Sequence, residues 1–141
     1  MKLLCIDYGM KRIGLATSDI SQTIATPLLT MPNKGDKNNI ARLRDVCTQH
    51  KIGKIVIGLP LGADGVETQI SAVVREFAKN LRAQLSLPVD FVNEHLSSWS
   101  AEEHIRQNLG ITDHRKIKEL VDKMAAAMLL QDYLMKEVKI E

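Results

Sequence analysis

Apolar runs separated by turn-forming clusters dominate the beginning of the chain. Leu3-Leu4-Cys5-Ile6 is unbroken and ends at Asp7-Tyr8-Gly9, and Ile13-Gly14-Leu15-Ala16 follows after a short turn. Two apolar runs this close predict strands paired as an antiparallel hairpin. A third strand is predicted over Ile24 to Met31. Pro27 places it at an edge or a bulge, because proline has no N–H to give to a ladder.

After Asn33-Lys34-Gly35-Asp36 the period changes. Ile40, Leu43, Val46 and Cys47 share one helical face. Lys54 to Gly58 reads as a compact buried strand. Ile70, Val73, Val74, Phe77, Leu81 and Leu85 mark a long amphipathic helix, and Val89 to Val92 the next strand, entered from Pro88. Ser100 with Glu103 predicts a capping box for a helix ending near Gly110. Leu120 to Leu134 predicts a last helix, apolar around much of its circumference. The order β-β-β-α-β-α-β-α-α predicts a mixed sheet with helices on its faces.

Composition narrows the class. The 141 residues suit one domain, and neither a repeat nor a linker divides them, so residues 1–141 are expected to fold together. Hydrophobic residues are 45% and charged residues 26%, the balance of a folded, soluble chain. Aromatics are only 4%, which argues against wide stacking platforms for single-stranded nucleic acid. A net charge of +2 excludes a protein-wide basic field, so nucleic-acid contact has to be local. Cys5 and Cys47 read as reduced core thiols. Without a signal peptide or an apolar span, the expectation is a cytoplasmic protein with no membrane partner.

Three carboxylates stand out by location. Asp7 ends the first strand, Glu94 follows the Val89–Val92 strand, and Asp122 is expected at the start of the last helix beside Ala125-Ala126-Ala127. Ligand sites in sheets with crossover helices gather at strand ends. If the first and last strands are close, Asp7 and Glu94 emerge at one edge, and the alanines let the helix bring Asp122 in. Singly, each has an ordinary use as a turn former or cap. Together they would repel one another, and such a set makes sense as oxygen ligands for a hard cation, Mg²⁺ or Mn²⁺. Two such ions can serve an in-line phosphodiester displacement.

The stretch Asp7-Tyr8-Gly9-Met10-Lys11-Arg12-Ile13-Gly14-Leu15-Ala16-Thr17-Ser18-Asp19 resembles the opening motif of the YqgF family, also called RuvX. Ile57-Gly58-Leu59-Pro60-Leu61 with Gly65, Asn93-Glu94-His95-Leu96-Ser97-Ser98, and Asp122-Lys123-Met124-Ala125-Ala126-Ala127 with Leu129, Leu130 and Tyr133 resemble its later blocks, in order. The family is similar to RuvC-type Holliday junction resolvases. The resemblance implies an RNase H-like fold, a mixed five-stranded sheet with helices on both faces. It also implies a nuclease that processes the precursor of 16S ribosomal RNA, with Asp7, Glu94 and Asp122 as catalytic, metal-holding carboxylates.

Lys11, Arg12 and His95 are the candidate substrate-binding residues. Lys11 and Arg12 sit beside Asp7 and could hold phosphate. His95 stands where the family usually has arginine; when protonated it can donate to phosphate, without the guanidinium's permanent charge and fork. The basic run His114 to Lys118 reads either as a second grip on a backbone or as the exposed face of a short helix.

RNA is favoured over DNA as the partner. A junction resolvase acting on branched DNA is the alternative; it needs a symmetric dimer, so both monomer and homodimer stay open. An Asp-x-Gly between hairpin strands also opens the nucleotide-binding domains of actin-like ATPases and sugar kinases, but those close two domains around the nucleotide. A silent RNA-binding module is opposed by the complete carboxylate set.

Overall fold

The computed structural model describes residues 1–94, 110 and 113–140, with the side chains of 137–140 excepted. Five strands form one sheet in the order β3-β2-β1-β4-β5. They are β1 (Lys2–Tyr8), β2 (Arg12–Ser18), β3 (Ala25–Pro32), β4 (Ile52–Pro60) and β5 (Val89–Glu94). The first three make an antiparallel meander, and β4 and β5 run parallel to β1. The expected mixed sheet is therefore present.

β1 lies at the centre, flanked by β2 and β4, which explains its unbroken apolar run: both of its faces are covered. Leu4 and Ile6 join Ile13, Leu15, Ile55 and Ile57 in a core against α1 (Asp36–Gln49) and α2 (Gln69–Leu85). Leu3 and Cys5 point the other way and join Ala16, Val56 and Val92 beneath Ala126, Leu129, Leu130, Tyr133 and Leu134 of α3 (His114–Ile140). Helices thus cover both faces. Cys5 and Cys47 are buried free thiols.

β3 is an edge strand, and its pairing slips at the proline. Leu15 faces Leu29 but Ala16 faces Pro27, so Leu28 is the extra residue of a bulge. Two helical expectations need correction. In α2, Val74, Phe77, Ala78 and Leu81 are buried, whereas Ile70 is 50% and Val73 40% exposed. Val73 is turned about 100° from Val74, off the core stripe. The first turn is anchored instead by Ser71, whose hydroxyl donates to the Pro60 carbonyl and accepts from the Thr68 N–H at 2.9 Å.

The last helix begins at His114, earlier than Leu120. Asp113 caps it, its Oδ1 accepting from the N–H groups of Arg115 and Lys116 at 3.0 and 3.2 Å. The basic run is therefore the opening of α3, and Asp122 lies well inside the helix rather than at its start. The helix expected from Ser100 to Gly110 lies outside the described residues. Among the described residues, no helix is long and apolar enough to cross a membrane.

Candidate active site

Asp7 lies near the end of β1, and Glu94 is the last residue of β5. The two strands are not adjacent, since β4 runs between them. Ile6 pairs with Ile57, and Pro60 with Glu94. Alternation along the strands puts Asp7, Gly58 and Glu94 on one face, the face covered by α3. At Gly58 an added Cβ would lie 3.4 Å from Glu94 Oε2 and 2.8 Å from Leu129 Cδ1. The absence of a side chain there leaves room for the Glu94 carboxyl on the face it shares with Asp7.

Asp122 reaches this face because α3 rests directly on β2. A Cβ at Gly14 would fall 1.9 Å from the Asp122 carbonyl oxygen, so only glycine lets the backbones come this close. Ala125 and Ala126 are fully buried and continue the close contact expected of the alanines. At the Asp122 side chain, however, the partner is Arg12, whose Nε donates to Oδ2 at 2.7 Å. Both remain partly accessible, with side-chain exposures of 33% for Arg12 and 20% for Asp122.

The turn between β1 and β2 is built by residues that carry no charge. Asn33 Nδ2 donates to the Gly9 carbonyl at 2.9 Å, and the Asn33 N–H to the Lys11 carbonyl at 2.9 Å. Buried Asn39 in turn donates to Asn33 Oδ1 at 2.8 Å. A Cβ at Gly9 would meet the Arg12 carbonyl oxygen at 2.3 Å. Lys11 is left exposed at the tip, and Arg12 is turned inward. His95 lies outside the described residues.

Electrostatics follow from this packing. Asp7 is 8% exposed. Burial, then the hydrogen bond and charge of Glu94, then the charge of Asp122, push its carboxyl up to about 9. Asp122 is also raised, because burial outweighs the opposing pull of Arg12. Cys5, beneath the pair, is held firmly as a thiol by burial and by both carboxylates.

A second polar cluster shares this face at the opposite end of β4 and β5. Lys54 Nζ donates to Tyr133 Oη at 2.7 Å, and Tyr133 Oη to Asp90 Oδ2 at 2.8 Å. It ties α3 down by hydrogen bonds that no local pattern announces.

The donor set suits a hard cation only in part. Asp7 and Glu94 offer oxygen ligands from a buried wall, as such an ion requires. Asp122 is engaged by Arg12, and among the described residues no three His, Cys, Asp or Glu side chains converge on one point.

The model of the RuvX family, described as a Holliday junction resolvase, matches residues 1–136. The chain belongs to the RuvX family. A Maridesulfovibrio salexigens protein that carries the provisional name pre-16S rRNA nuclease is 40% identical over 134 residues, covering 95% of this chain and 98% of that one. A Chloroflexus aggregans protein with the same name is 39% identical over 132 residues, covering 94% and 92%. Family and relatives are thus nucleases by name, enzymes that hydrolyse phosphodiester bonds.

Among solved structures, Thermus thermophilus RuvC in complex with a Holliday junction substrate superposes with a TM-score of 0.56 at 16% identity, over 98% of this chain and 96% of that one. The fowlpox virus Holliday junction resolvase gives 0.58 at 15%, over 96% and 99%. These likenesses establish the RNase H-like fold of this RuvX member.

Proposed function

We propose that this chain is a divalent-metal-dependent nuclease, with Mg²⁺ or Mn²⁺ as cofactor, that processes the precursor of 16S ribosomal RNA in the cytoplasm. The observation that carries the reading is that buried Asp7 shares one face of the sheet with Glu94 and feels its charge and that of Asp122, which α3 holds over the same face where it rests on Gly14. A buried carboxyl pair without a cation partner is costly to ionise, and a protein retains such a pair where a charge is brought to it.

Asp7, Glu94 and Asp122 would hold the metal. Bound there, it would supply activation of the attacking water and neutralisation of the leaving oxygen. The rest belongs to the chain. The Asn33-braced turn presents Lys11 to a phosphate beside Asp7, and Leu129 closes the inner wall against water. Contacts of this kind read the backbone and not the bases.

A junction resolvase is the second reading. It is favoured by a likeness to RuvC that spans nearly the full length of both chains. The test is a cleavage assay on matched pre-16S RNA, duplex DNA and four-way-junction substrates, with Mg²⁺, Mn²⁺ or chelator and Asp7→Asn as control. RNA cutting that needs the metal and Asp7 supports the first reading. Paired incisions confined to the junction, by a dimer in solution, support the second. Undiminished cutting in excess chelator removes the metal from both.

A further inference from the structure

Arg12 is the cation already present in the site. Its guanidinium lies 2.7 Å from Asp122 Oδ2, on a carboxylate that the proposed metal site requires. Asp7, by contrast, has the carboxyls of Glu94 and Asp122 as the charges acting on it among the described residues. Among the described residues the three carboxylates do not yet form a ligand set, and Asp122, the one that has to complete it, is held by this ion pair.

We infer that Arg12 is an exchangeable counter-ion: it holds Asp122 while no metal is bound, gives up the carboxylate when a divalent cation enters, and then turns to a substrate phosphate. The inference rests on the metal-dependent reading above. The exchange is chemically balanced, because one cation replaces another on Asp122 and no covalent bond changes. A guanidinium fits a phosphate as it fits a carboxylate, with the same planar fork of donors. The path is short as well. Arg12 opens β2 beside Lys11 at the tip of the turn, and a third of its side chain faces solvent. Arg12 is thus a positioning residue in the empty site and a phosphate ligand in the loaded one.

The sign of its effect on metal binding separates this role from a structural one. If Arg12 merely braces Asp122, removing it loosens a ligand and weakens the metal. If it competes, removing it tightens the metal by roughly tenfold, the factor that one charge-assisted hydrogen bond represents. Calorimetric titration of the full-length chain with Mn²⁺, for wild type, Arg12→Ala and Arg12→Lys, reads this directly. Melting in chelator confirms that each variant is folded, and Arg12→Lys retains charge and strand should Arg12→Ala fail to fold. Tighter binding by Arg12→Ala, with Arg12→Lys between it and wild type, is expected. Should Arg12→Ala not fold, tighter binding by Arg12→Lys alone supports the exchange. Wild-type binding that is unchanged or weakened in the folded variants overturns the exchange and leaves the metal reading standing. Absence of Mn²⁺ binding by every protein, wild type included, overturns both.

The phosphate half has its own readout. In Ca²⁺, RNA affinity should lose about one unit of log–log salt slope in Arg12→Ala, whereas in chelator, with Arg12 held by Asp122, the slope should match wild type. Equal slopes for both proteins in both conditions overturn the transfer to phosphate.

Discussion

Gly58 faces Glu94 so closely that a methyl group on Gly58 would stand 3.4 Å from Glu94 Oε2 while pressing on Leu129 Cδ1 at 2.8 Å. Gly58→Ala therefore costs stability, as overpacking does, by about 1–3 kcal/mol. The new methyl group also fills the space beside the Glu94 carboxyl, and the yielding of Leu129 is expected to disturb the Asp7–Glu94 arrangement. A misplacement of about 1 Å in a catalytic set lowers turnover by up to roughly 100-fold. Melting curves and single-turnover cleavage rates check the two effects together. A lower melting temperature with an unchanged cleavage rate would take Glu94 out of the reacting set.

Gly14→Ala is expected to be worse. The obstacle here is backbone, with the Asp122 carbonyl oxygen 1.9 Å and its carbon 2.3 Å from the new Cβ, and neither belongs to a side chain that can turn aside. Helix α3 has to lift from β2. The loss should be about 3 kcal/mol or more, among the larger single-residue effects. Urea unfolding of the two glycine variants ranks them, and a Gly14→Ala midpoint above that of Gly58→Ala would contradict the packing described.

Lys11→Ala should weaken RNA binding without altering sequence preference. Lys11 is exposed at the tip of the braced turn, and the structure gives it no ion pair among the described residues. Its removal should reduce the log–log salt slope by about one unit and leave the fold as stable as before. A slope equal to that of wild type assigns Lys11 to solvent.

These positions show why part of the molecule was legible in the sequence. The strands were plain because β1 and β4 are buried on both faces and read as continuous apolar runs, and Pro27 announced both edge and bulge. Asp7 and Glu94 stood out by their places at strand ends, whereas Asp122, expected at the start of a helix, lies well inside α3. The partnership of Arg12 with Asp122 was not legible, because it joins residues 110 positions apart through a helix placement that only tertiary packing fixes. The same holds for Gly14 and Gly58, whose meaning lies in what the missing Cβ would strike, and for Asn33 and Asn39, which look like ordinary turn residues. The start of α3 was missed because its first turns are polar, with Ile117 the buried exception.

Asp7→Asn should abolish cutting and leave the metal-free protein at least as stable as wild type, by an amount that depends on pH. The folded protein holds a proton on Asp7 up to about pH 9, because the carboxyl is buried beside Glu94 and near Asp122. In the unfolded chain the same group ionises near pH 4. Between those values the folded state binds more protons than the unfolded one, so stability falls as pH rises. The contribution is whole below about pH 4 and is lost progressively toward pH 9. Asparagine has no proton to lose and escapes this decline. The variant should therefore gain less at pH 5 than at pH 8, where the gain is on the order of 1 kcal/mol or more, a rise of at least roughly 2–6 °C in melting temperature for a domain of this size. If Asp7 served only its turn, the amide would forfeit a charged acceptor and the variant would be the less stable at every pH above 4. Mg²⁺ adds the second comparison. A ligand that binds only the folded state raises stability by mass action, so the ion should raise the wild-type melting temperature more than the variant's. Scans of both proteins at pH 5 and pH 8, in chelator and in Mg²⁺, carry all of this. A variant that melts lower at pH 8 in chelator, and responds to Mg²⁺ as wild type does, would separate Asp7 from the metal and from the repulsion on which its role rests.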